Sequence, residues 1–243
     1  EANKELTKAL EKEREINELK SRIVLNVSHG FKTPLTSILS SAQLLQMYAE
    51  KDHPFKQKIA KHAMKIENSV RALNNLLTSV LFFGKADANK MEFKPKKMFL
   101  GAFVKELLDT VKAGIENDVT IKTELGDLPK TIVSDSEILY QTFENLLSNA
   151  VKYSKDGSEV LFKLDYKNGH LYGTVVDNGI GIPKSEQSQL FDRFFRAKNV
   201  GIVEGSGLGL SIVKKCIEVM GGEIDFSSEV NKGTTFEVKI PVK

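Results

Sequence analysis

Apolar residues recur at helical spacing through the first third of the chain. In residues 1–25 they fall roughly on a heptad seam, which two polar residues, Glu13 and Lys20, interrupt. This pattern predicts a coiled-coil helix entering the fold, with an ordinary solvated helix as the alternative. The apolar seam positions are Leu6, Leu10, Ile16, Ile23 and Val27.

Two longer amphipathic helices follow, separated by "KDHPF" at residues 51–55, where Pro54 suits the first turn of the second helix. Each helix has one apolar stripe, and a hairpin of the two has little core of its own. We therefore expect two copies to pair as a homodimeric four-helix bundle. The stripes contain Leu35, Ile38, Leu39, Ala42 and Leu45 in the first helix and Ile59, Ala63, Ile66, Val70, Leu73, Leu77 and Val80 in the second.

After residue 97 the pattern mixes helical and strand periods, which predicts a second domain of the α+β class. We expect one antiparallel-type sheet with helices on one side, including a hairpin turn at Asn168–Gly169, and a helix capped by Ser134 or Asp135. The predicted helices cover 101–117, 135–152 and 207–220, and the predicted strands cover 119–124, 130–134, 159–166 and 171–177, before two closing strands. The predicted domains are a coiled-coil helix over 1–22, the helical hairpin over 23–88, a linker over 89–96 and the α+β domain over 97–243.

The composition is that of a soluble globular protein, with 41% hydrophobic and 28% charged residues. The net charge of +3 is small and no basic stripe carries interleaved aromatics, which argues against nucleic acid as a partner. The single cysteine, Cys216, lies in an apolar helical run and is expected to be a buried small residue rather than a nucleophile. We expect His53, His62 and His170 to be solvated or half-buried, without a chemical role.

Three polar clusters interrupt the regular elements of the second domain. In "ENLLSNAVKY", 144–153, Asn145 and Asn149 are four residues apart and share a helical face, with Lys152 beside it. Two amides and an ammonium can hold a hard cation and phosphate oxygens. Taken alone, this cluster is more simply explained as the polar face of an amphipathic helix.

The other two clusters are rich in glycine. In "VVDNGIGIP", 175–183, Asp177 ends an apolar strand, where a carboxylate can accept a hydrogen bond from an exocyclic amine such as that of adenine; a plain turn is the alternative. In "GSGLGLSIVKK", 205–215, three glycines lead into the start of a helix, where exposed backbone N–H groups and the positive end of the helix dipole can bind phosphate. The latter segment is neither a Walker loop nor a Rossmann fingerprint.

Together and in this order, the clusters resemble the ATP-binding domain of the GHKL (Bergerat) superfamily, most closely that of sensor histidine kinases. "NLLSNAVKY" is similar to the N box of that family, "DNGIGIP" to its first glycine box, "FDRFFRA" to its F box and "GSGLGLSI" to its second glycine box. "SHGFKTPL" in the first helix is similar to the H box. The resemblance covers roughly residues 20–243.

This resemblance implies a site for ATP and Mg²⁺. Asn149, helped by Asn145, would hold Mg²⁺, and Asp177 would bind the adenine amine. Residues 184–206 would form a mobile lid. The other implied nucleotide contacts are Lys152 and Arg196 at the phosphates, Tyr153 near the nucleoside, and Gly179, Gly181, Gly205, Gly207, Leu208 and Gly209 around the pocket.

The H box makes His29 the implied phosphoacceptor, since neutral imidazole is nucleophilic near physiological pH, and Pro34 would kink the helix one turn later. The family usually has an acidic residue after this histidine, but Gly30 stands here and cannot act as a base or orient the ring. Losing a general base commonly costs ~10²–10⁴-fold in rate, so we expect weak or absent autophosphorylation. Thr33 is implied to support dephosphorylation of a partner response regulator, with a hydroxyl cap near Pro34 as the alternative.

Three functions are compatible with these motifs. The first is an ATP-dependent histidine kinase that passes phosphate from His29 to a response-regulator aspartate. The second is a kinase-impaired ATP-binding switch or phosphatase, favoured by Gly30. The third is a GHKL ATPase of the gyrase or mismatch-repair type, against which the H box argues.

No apolar run can span a bilayer and no signal peptide is present, while the chain begins at Glu1 in mid-pattern without an initiator Met. We take the chain to be a fragment of a longer protein, and the family resemblance implies the cytoplasmic portion of a membrane-anchored bacterial receptor, with any anchor outside this fragment.

Overall fold

The structure, a computed structural model, describes residues 30–45, 47–48, 56–87, 91–115, 118–200 and 207–243. His29, Gly205, the predicted coiled coil and the predicted break at 51–55 lie outside the described residues. The chain divides into two compact units between Val80 and Leu81. No helix in the described part of the chain is long and apolar enough to cross a membrane.

The first unit contains the two predicted amphipathic helices. Helix α1 covers residues 30–45, and helix α2 covers Lys56–Asp87 and continues past the division between the units. Several large apolar side chains of these helices are 42–63% exposed in the single chain. They are Leu35, Leu39, Met47, Ile59, Met64, Val70 and Leu77. Among the described residues of this unit, no hydrophobic side chain is fully buried.

The second unit is an α+β fold, as predicted. Its helices are α3, Leu100–Ala113; α4, Ser136–Tyr153; and α5, Gly209–Val219. Its strands are β1, Lys96–Phe99; β2, Thr120–Leu125; β3, Thr131–Ser134; β4, Glu159–Lys167; β5, His170–Asp177; β6, Glu223–Glu229; and β7, Gly233–Pro241. Single 3₁₀ turns cover Lys184–Gln189 and Lys198–Val200.

The sheet topology corrects the prediction of a single antiparallel-type sheet. The five-stranded sheet has the order β2-β4-β5-β7-β6, and β2 runs parallel to β4 while the other neighbours are antiparallel. The chain between β2 and β4 includes helix α4, and such a long crossover returns the chain in the same direction. Strands β1 and β3 form a separate two-stranded sheet, and β1 was not predicted because its sequence, "KKMF", is short and lysine-rich.

The hairpin between β4 and β5 confirms the predicted turn. Asn168 and Gly169 have φ angles of 52° and 75°, as a two-residue turn of the primed type requires. Buried and exposed residues alternate along both strands, so one face of the sheet carries the core.

The core lies between this face and the helices. Helix α4 contacts β4 and β5 on one side and α3 and α5 on others. The Phe143 and Phe162 rings meet edge-on with centroids 5.6 Å apart, and a Cβ at Gly173 would lie only 2.3 Å from the Phe143 ring, so the glycine makes room for that ring. Cys216 is buried as predicted, and burial raises the pKa of its thiol to about 12, which keeps it in the unreactive thiol form.

Candidate functional site

Helix α4 begins at a buried carboxylate. Asp135 Oδ1 accepts hydrogen bonds from the backbone N–H groups of Glu137 (3.1 Å) and Ile138 (3.2 Å), which identifies Asp135 as the N-cap. Its other oxygen accepts a hydrogen bond from Lys94 N at 2.9 Å. This cap fixes the start of the helix whose second half carries the predicted amides.

The side-chain amide of Asn145 is oriented by the preceding turn of α4. Its Nδ2 donates to Gln141 O at 2.7 Å and lies 3.4 Å from Gln141 Oε1. The side-chain oxygen of Asn145, Oδ1, consequently faces the start of α5, where a Cβ at Gly209 would lie 2.8 Å from it. Asn149 Nδ2 lies 3.5 Å from the same position, so Gly209 leaves space in front of both amides.

Cationic and aromatic groups follow at the end of α4. Lys152 Nζ lies 5.5 Å from the centroid of the Tyr153 ring. Burial raises the pKa of the Tyr153 hydroxyl, while the positive charge of Arg196 acts in the opposite direction. Lys152 and Arg196 thus bring two positive charges to the neighbourhood of one phenol ring.

Asp177 is 7% exposed and held by backbone donors. Its Oδ1 accepts hydrogen bonds from Gly179 N (2.9 Å) and Thr234 N (3.2 Å). Burial raises the pKa of the carboxyl above its ordinary value, and the two backbone hydrogen bonds oppose that rise. Among the described residues Oδ2 has no hydrogen-bond partner, so this acceptor is left for a ligand.

The first glycine box packs too closely for side chains. A Cβ at Gly179 would lie 2.3 Å from Tyr153 O, and one at Gly181 would lie 2.0 Å from Glu229 O. Gly181 also has a φ of +63°, a conformation that residues with a Cβ adopt at a cost. The loop can therefore lie against both α4 and the β6–β7 turn.

The F box contacts the second glycine box directly. Phe194 N donates to Gly207 O at 2.9 Å, and a Cβ at Gly207 would lie 2.7 Å from Phe194 C. Phe194 has a φ of +60°, which is strained for an aromatic residue. Strain of this kind persists where surrounding contacts hold it, and it concentrates at binding sites.

These elements enclose a cleft of about 1000 Å³, counting the solvent-filled mouth. Two nonpredicted polar residues, Asn199 and Thr234, and several apolar ones also face it. The predicted residues that line the cleft are Asn145, Asn149, Lys152, Tyr153, Asp177, Gly181, Arg196, Gly207 and Gly209. The apolar lining includes Ile180, Ile182, Leu190, Phe195 and Phe236.

The remaining predicted site residues have other positions. Gly179 and Leu208 are not among the lining residues, and Leu208 is buried in the core. Thr33 is exposed on α1 in the first unit. Sequence reasoning missed Gln141 and Thr234. Gln141 orients the amide of Asn145, and Thr234 donates a hydrogen bond to Asp177 from a strand 57 residues later in the chain.

Two protein families match the chain in succession. Residues 19–89 match the His Kinase A (phospho-acceptor) domain. Residues 134–243 match the histidine kinase-, DNA gyrase B- and HSP90-like ATPase family. The second match contains every described residue that lines the cleft.

Similar full-length proteins are sensor kinases. WalK of Bacillus subtilis, a sensor histidine kinase, is 32% identical over 90% of this chain and 36% of its own length. The adaptive-response sensory kinase SasA of Prochlorococcus marinus is 31% identical over 91% of this chain and 58% of its own length. The sensor histidine kinase RcsC of Escherichia coli is 31% identical over 92% of this chain and 23% of its own length. The chain thus spans 23–58% of these three relatives.

Solved structures give the same assignment. The mycobacterial sensor histidine kinase MprB superposes with a TM-score of 0.54 at 27% identity, over 61% of this chain and 99% of the MprB chain. The catalytic domain of histidine kinase ThkA superposes with a TM-score of 0.52 at 25% identity, over 62% of this chain and 96% of the ThkA chain. From these matches, the chain is a histidine kinase catalytic core, in which a phospho-acceptor domain precedes an ATPase-type domain.

Proposed function

We propose that this chain transfers the γ-phosphoryl group of ATP to His29 and from there to an aspartate of a response-regulator receiver domain. The observation that carries the proposal is the cleft of the second unit, where one buried carboxylate, three amides and two cations face a common space. The family match to an ATPase supports ATP as the ligand.

The adenine ring is proposed to lie at the Asp177 end of the cleft. Asp177 Oδ2 can accept a hydrogen bond from the exocyclic amine, because Oδ1 is already engaged by Gly179 and Thr234. Ile182 and Phe236 provide apolar walls for a flat ring. An acceptor at this point favours adenine over guanine, which presents a carbonyl at the equivalent position.

The phosphates are proposed to lie between Lys152, Arg196 and the start of α5. Within the part of the chain that the structure describes, the helix start has no side-chain cap, and backbone N–H groups at a helix N-terminus favour binding of anions. Two side-chain cations near the same place add to this attraction. The γ-phosphate would then be the end of the nucleotide farthest from Asp177.

Mg²⁺ fits the amides of α4. The side-chain oxygen of Asn145, Oδ1, faces the start of α5 beside the cleft, and Asn149 lines the cleft one helical turn later. Among the described residues, no group of three or more His, Cys, Asp or Glu side chains could hold a metal, which agrees with an ion held largely by phosphates and water. When bound, Mg²⁺ would neutralise charge on the phosphate oxygens.

His29 supplies the proposed nucleophile. An imidazole nitrogen forms a bond to the γ-phosphorus, the bond from that phosphorus to the bridging oxygen breaks, and ADP leaves with the electron pair. Gly30 follows this histidine and has no carboxylate to orient the ring, so we expect slow transfer. A second candidate, a phosphatase or ATP-dependent switch, is favoured by Gly30 and by the retained Thr33, which is exposed on α1.

Two further parts of the proposal concern partners. The exposed apolar side chains of α1 and α2 support a homodimer, because they exceed what a lone hairpin can cover. A receiver domain is supported by the fold match to ThkA in complex with the response regulator TrrA, at 22% identity and a TM-score of 0.57. We place the chain on the cytoplasmic side of a membrane receptor by analogy with the sensor kinases.

The proposal is tested with γ-labelled ATP and the unmodified chain, beside His29→Ala, Gly30→Glu and Asp177→Asn. We expect slow acid-labile labelling that His29→Ala and Asp177→Asn abolish and Gly30→Glu accelerates by about 10²-fold or more. Labelling that persists in His29→Ala would contradict the assigned phosphoacceptor. No labelling even with Glu at position 30, together with ADP binding and loss of phosphate from a labelled receiver domain, would favour the phosphatase.

A further inference from the structure

The loop after β5 and the β6–β7 hairpin meet at one hydroxyl group. Ser228 Oγ accepts a hydrogen bond from Ile182 N at 2.9 Å. The same oxygen lies 3.0 Å from Gly233 O and 2.9 Å from Thr234 Oγ1. A serine hydroxyl has one donor and two acceptor sites, so it can serve these neighbours together.

The backbone of Ser228 holds the same loop a second time. Gln187 Nε2 donates to Ser228 O at 3.1 Å and to Ile182 O at 3.0 Å. Ile182 is therefore fixed through its N–H by the serine side chain and through its C=O by a glutamine that is itself bound to the serine backbone. Gln187 belongs to the 3₁₀ turn Lys184–Gln189, which continues the chain toward the F box.

Ser228 is also linked to the buried carboxylate. Thr234, whose hydroxyl lies beside Ser228 Oγ, donates its backbone N–H to Asp177 Oδ1 at 3.2 Å. Ile182, Thr234 and Asp177 all line the cleft, whereas Ser228 is not one of its lining residues. One partly buried side chain thus joins two cleft walls without facing the cleft itself.

We propose that Ser228 is a positioning residue for nucleotide binding, which holds Ile182 and Thr234 at the base end of the cleft. This inference rests on the proposed ATP binding. Because the serine acts on the base end and the phosphoryl group reacts at the other end, its loss should raise KM for ATP and leave kcat nearly unchanged. Alanine at this position would leave Ile182 N without its acceptor.

The test compares Ser228→Ala with Ser227→Ala in the full chain. Ser227 is the preceding residue on β6 and is exposed, which makes it a matched control. We expect Ser228→Ala to weaken ADP binding, measured by calorimetry, and to raise KM by about fivefold to tenfold, as the loss of one hydrogen bond predicts. Saturating labelling rates should stay within about twofold, and Ser228→Thr, which keeps the hydroxyl, should restore ADP affinity.

The outcomes separate this inference from the proposed function. If the unmodified chain binds ADP and Ser228→Ala binds it equally well, the positioning role is wrong and the function stands. A fall in kcat with unchanged KM would also overturn it. If the unmodified chain binds no ADP, both the nucleotide function and this inference fail.

Amide exchange provides a readout that needs no nucleotide. The Ile182 amide should be protected in the free protein and in Ser227→Ala, and should exchange at least tenfold faster in Ser228→Ala. Unchanged protection would overturn the inference. If Ser228→Ala does not fold, Ser228→Cys keeps the shape with a weaker hydrogen bond and should give an intermediate ADP affinity; an unchanged affinity would be contradictory.

Discussion

The two units of the chain differ in how far their apolar side chains are buried. In the second unit, side chains such as Phe143, Phe162 and Leu171 are completely buried between the helices and one face of the sheet. In the first unit, comparable side chains such as Leu39 and Met64 are more than half exposed. The second unit completes its core within one chain, whereas the described part of the first unit leaves an apolar surface exposed, which is the surface that the proposed homodimer would cover.

The largest expected effect comes from the core of the second unit. Phe143→Ala removes a fully buried ring and should lower the free energy of unfolding of this unit by about 3–5 kcal/mol. Met64→Ala, on the exposed face of α2, is the control and should change it by less than about 0.5 kcal/mol. Denaturant unfolding followed by circular dichroism measures the free energy of unfolding of both variants. Equal losses in the two variants would contradict the difference in burial between the units.

The next effect concerns the surface of the first unit. Leu39→Asp puts a charge on the exposed apolar face of α1 and should weaken self-association by more than tenfold, because the charge would lose its hydration in a dimer. Ser40→Asp places the same charge on the neighbouring exposed residue and should have a smaller effect. Sedimentation at a series of concentrations measures association, and dimers that persist in Leu39→Asp would argue against this interface.

A smaller effect is expected at the first glycine box. Gly181→Ala should cost about 1–3 kcal/mol of stability in the second unit, since its φ is positive and its Cβ would meet Glu229 O. Gly101→Ala on α3 has open space around the added methyl group and should be neutral or stabilising, by up to about 1 kcal/mol. Thermal unfolding compares the two, and a neutral Gly181→Ala would contradict the close packing of this loop.

The smallest expected effect is a pH dependence of nucleotide affinity. Burial raises the pKa of Asp177 above the 3.8 of an ordinary aspartate, and only the ionised form offers Oδ2 fully as an acceptor. ADP affinity should therefore fall as the pH is lowered, beginning at a higher pH than for an exposed carboxylate. Calorimetry at several pH values measures this, and Asp177→Asn should bind ADP weakly with no such dependence.

Much of the fold follows from local patterns. The amphipathic periods predicted the helices, and "NG" predicted the β4–β5 turn, because both depend on residues close in sequence. Helix α3 ends at Ala113, before the predicted residue 117, where Gly114 follows its last turn. The parallel pairing of β2 with β4 was missed, since pairing depends on a crossover and not on either strand alone.

The candidate site likewise contains residues that the local sequence indicates and residues that it does not. The glycines and amides that line the cleft stand in continuous motifs, so the sequence indicates them. Thr234 and Ser228 could not be found in that manner, because their partners Asp177 and Ile182 lie 57 and 46 residues away. The register of β5, β7 and β6 places Asp177, Thr234 and Ser228 side by side, and the loop after β5 then brings Ile182 to Ser228.

The hydrogen bond from Lys94 N to Asp135 joins two distant segments of the chain. Lys94 belongs to the segment that leads from the helical unit into the second unit, while the same carboxylate holds the first turn of α4. The same carboxylate therefore holds both that segment and the helix on which Asn145 and Asn149 stand. Replacing this one aspartate would release both at once, although Lys94 and Asp135 are 41 residues apart in sequence.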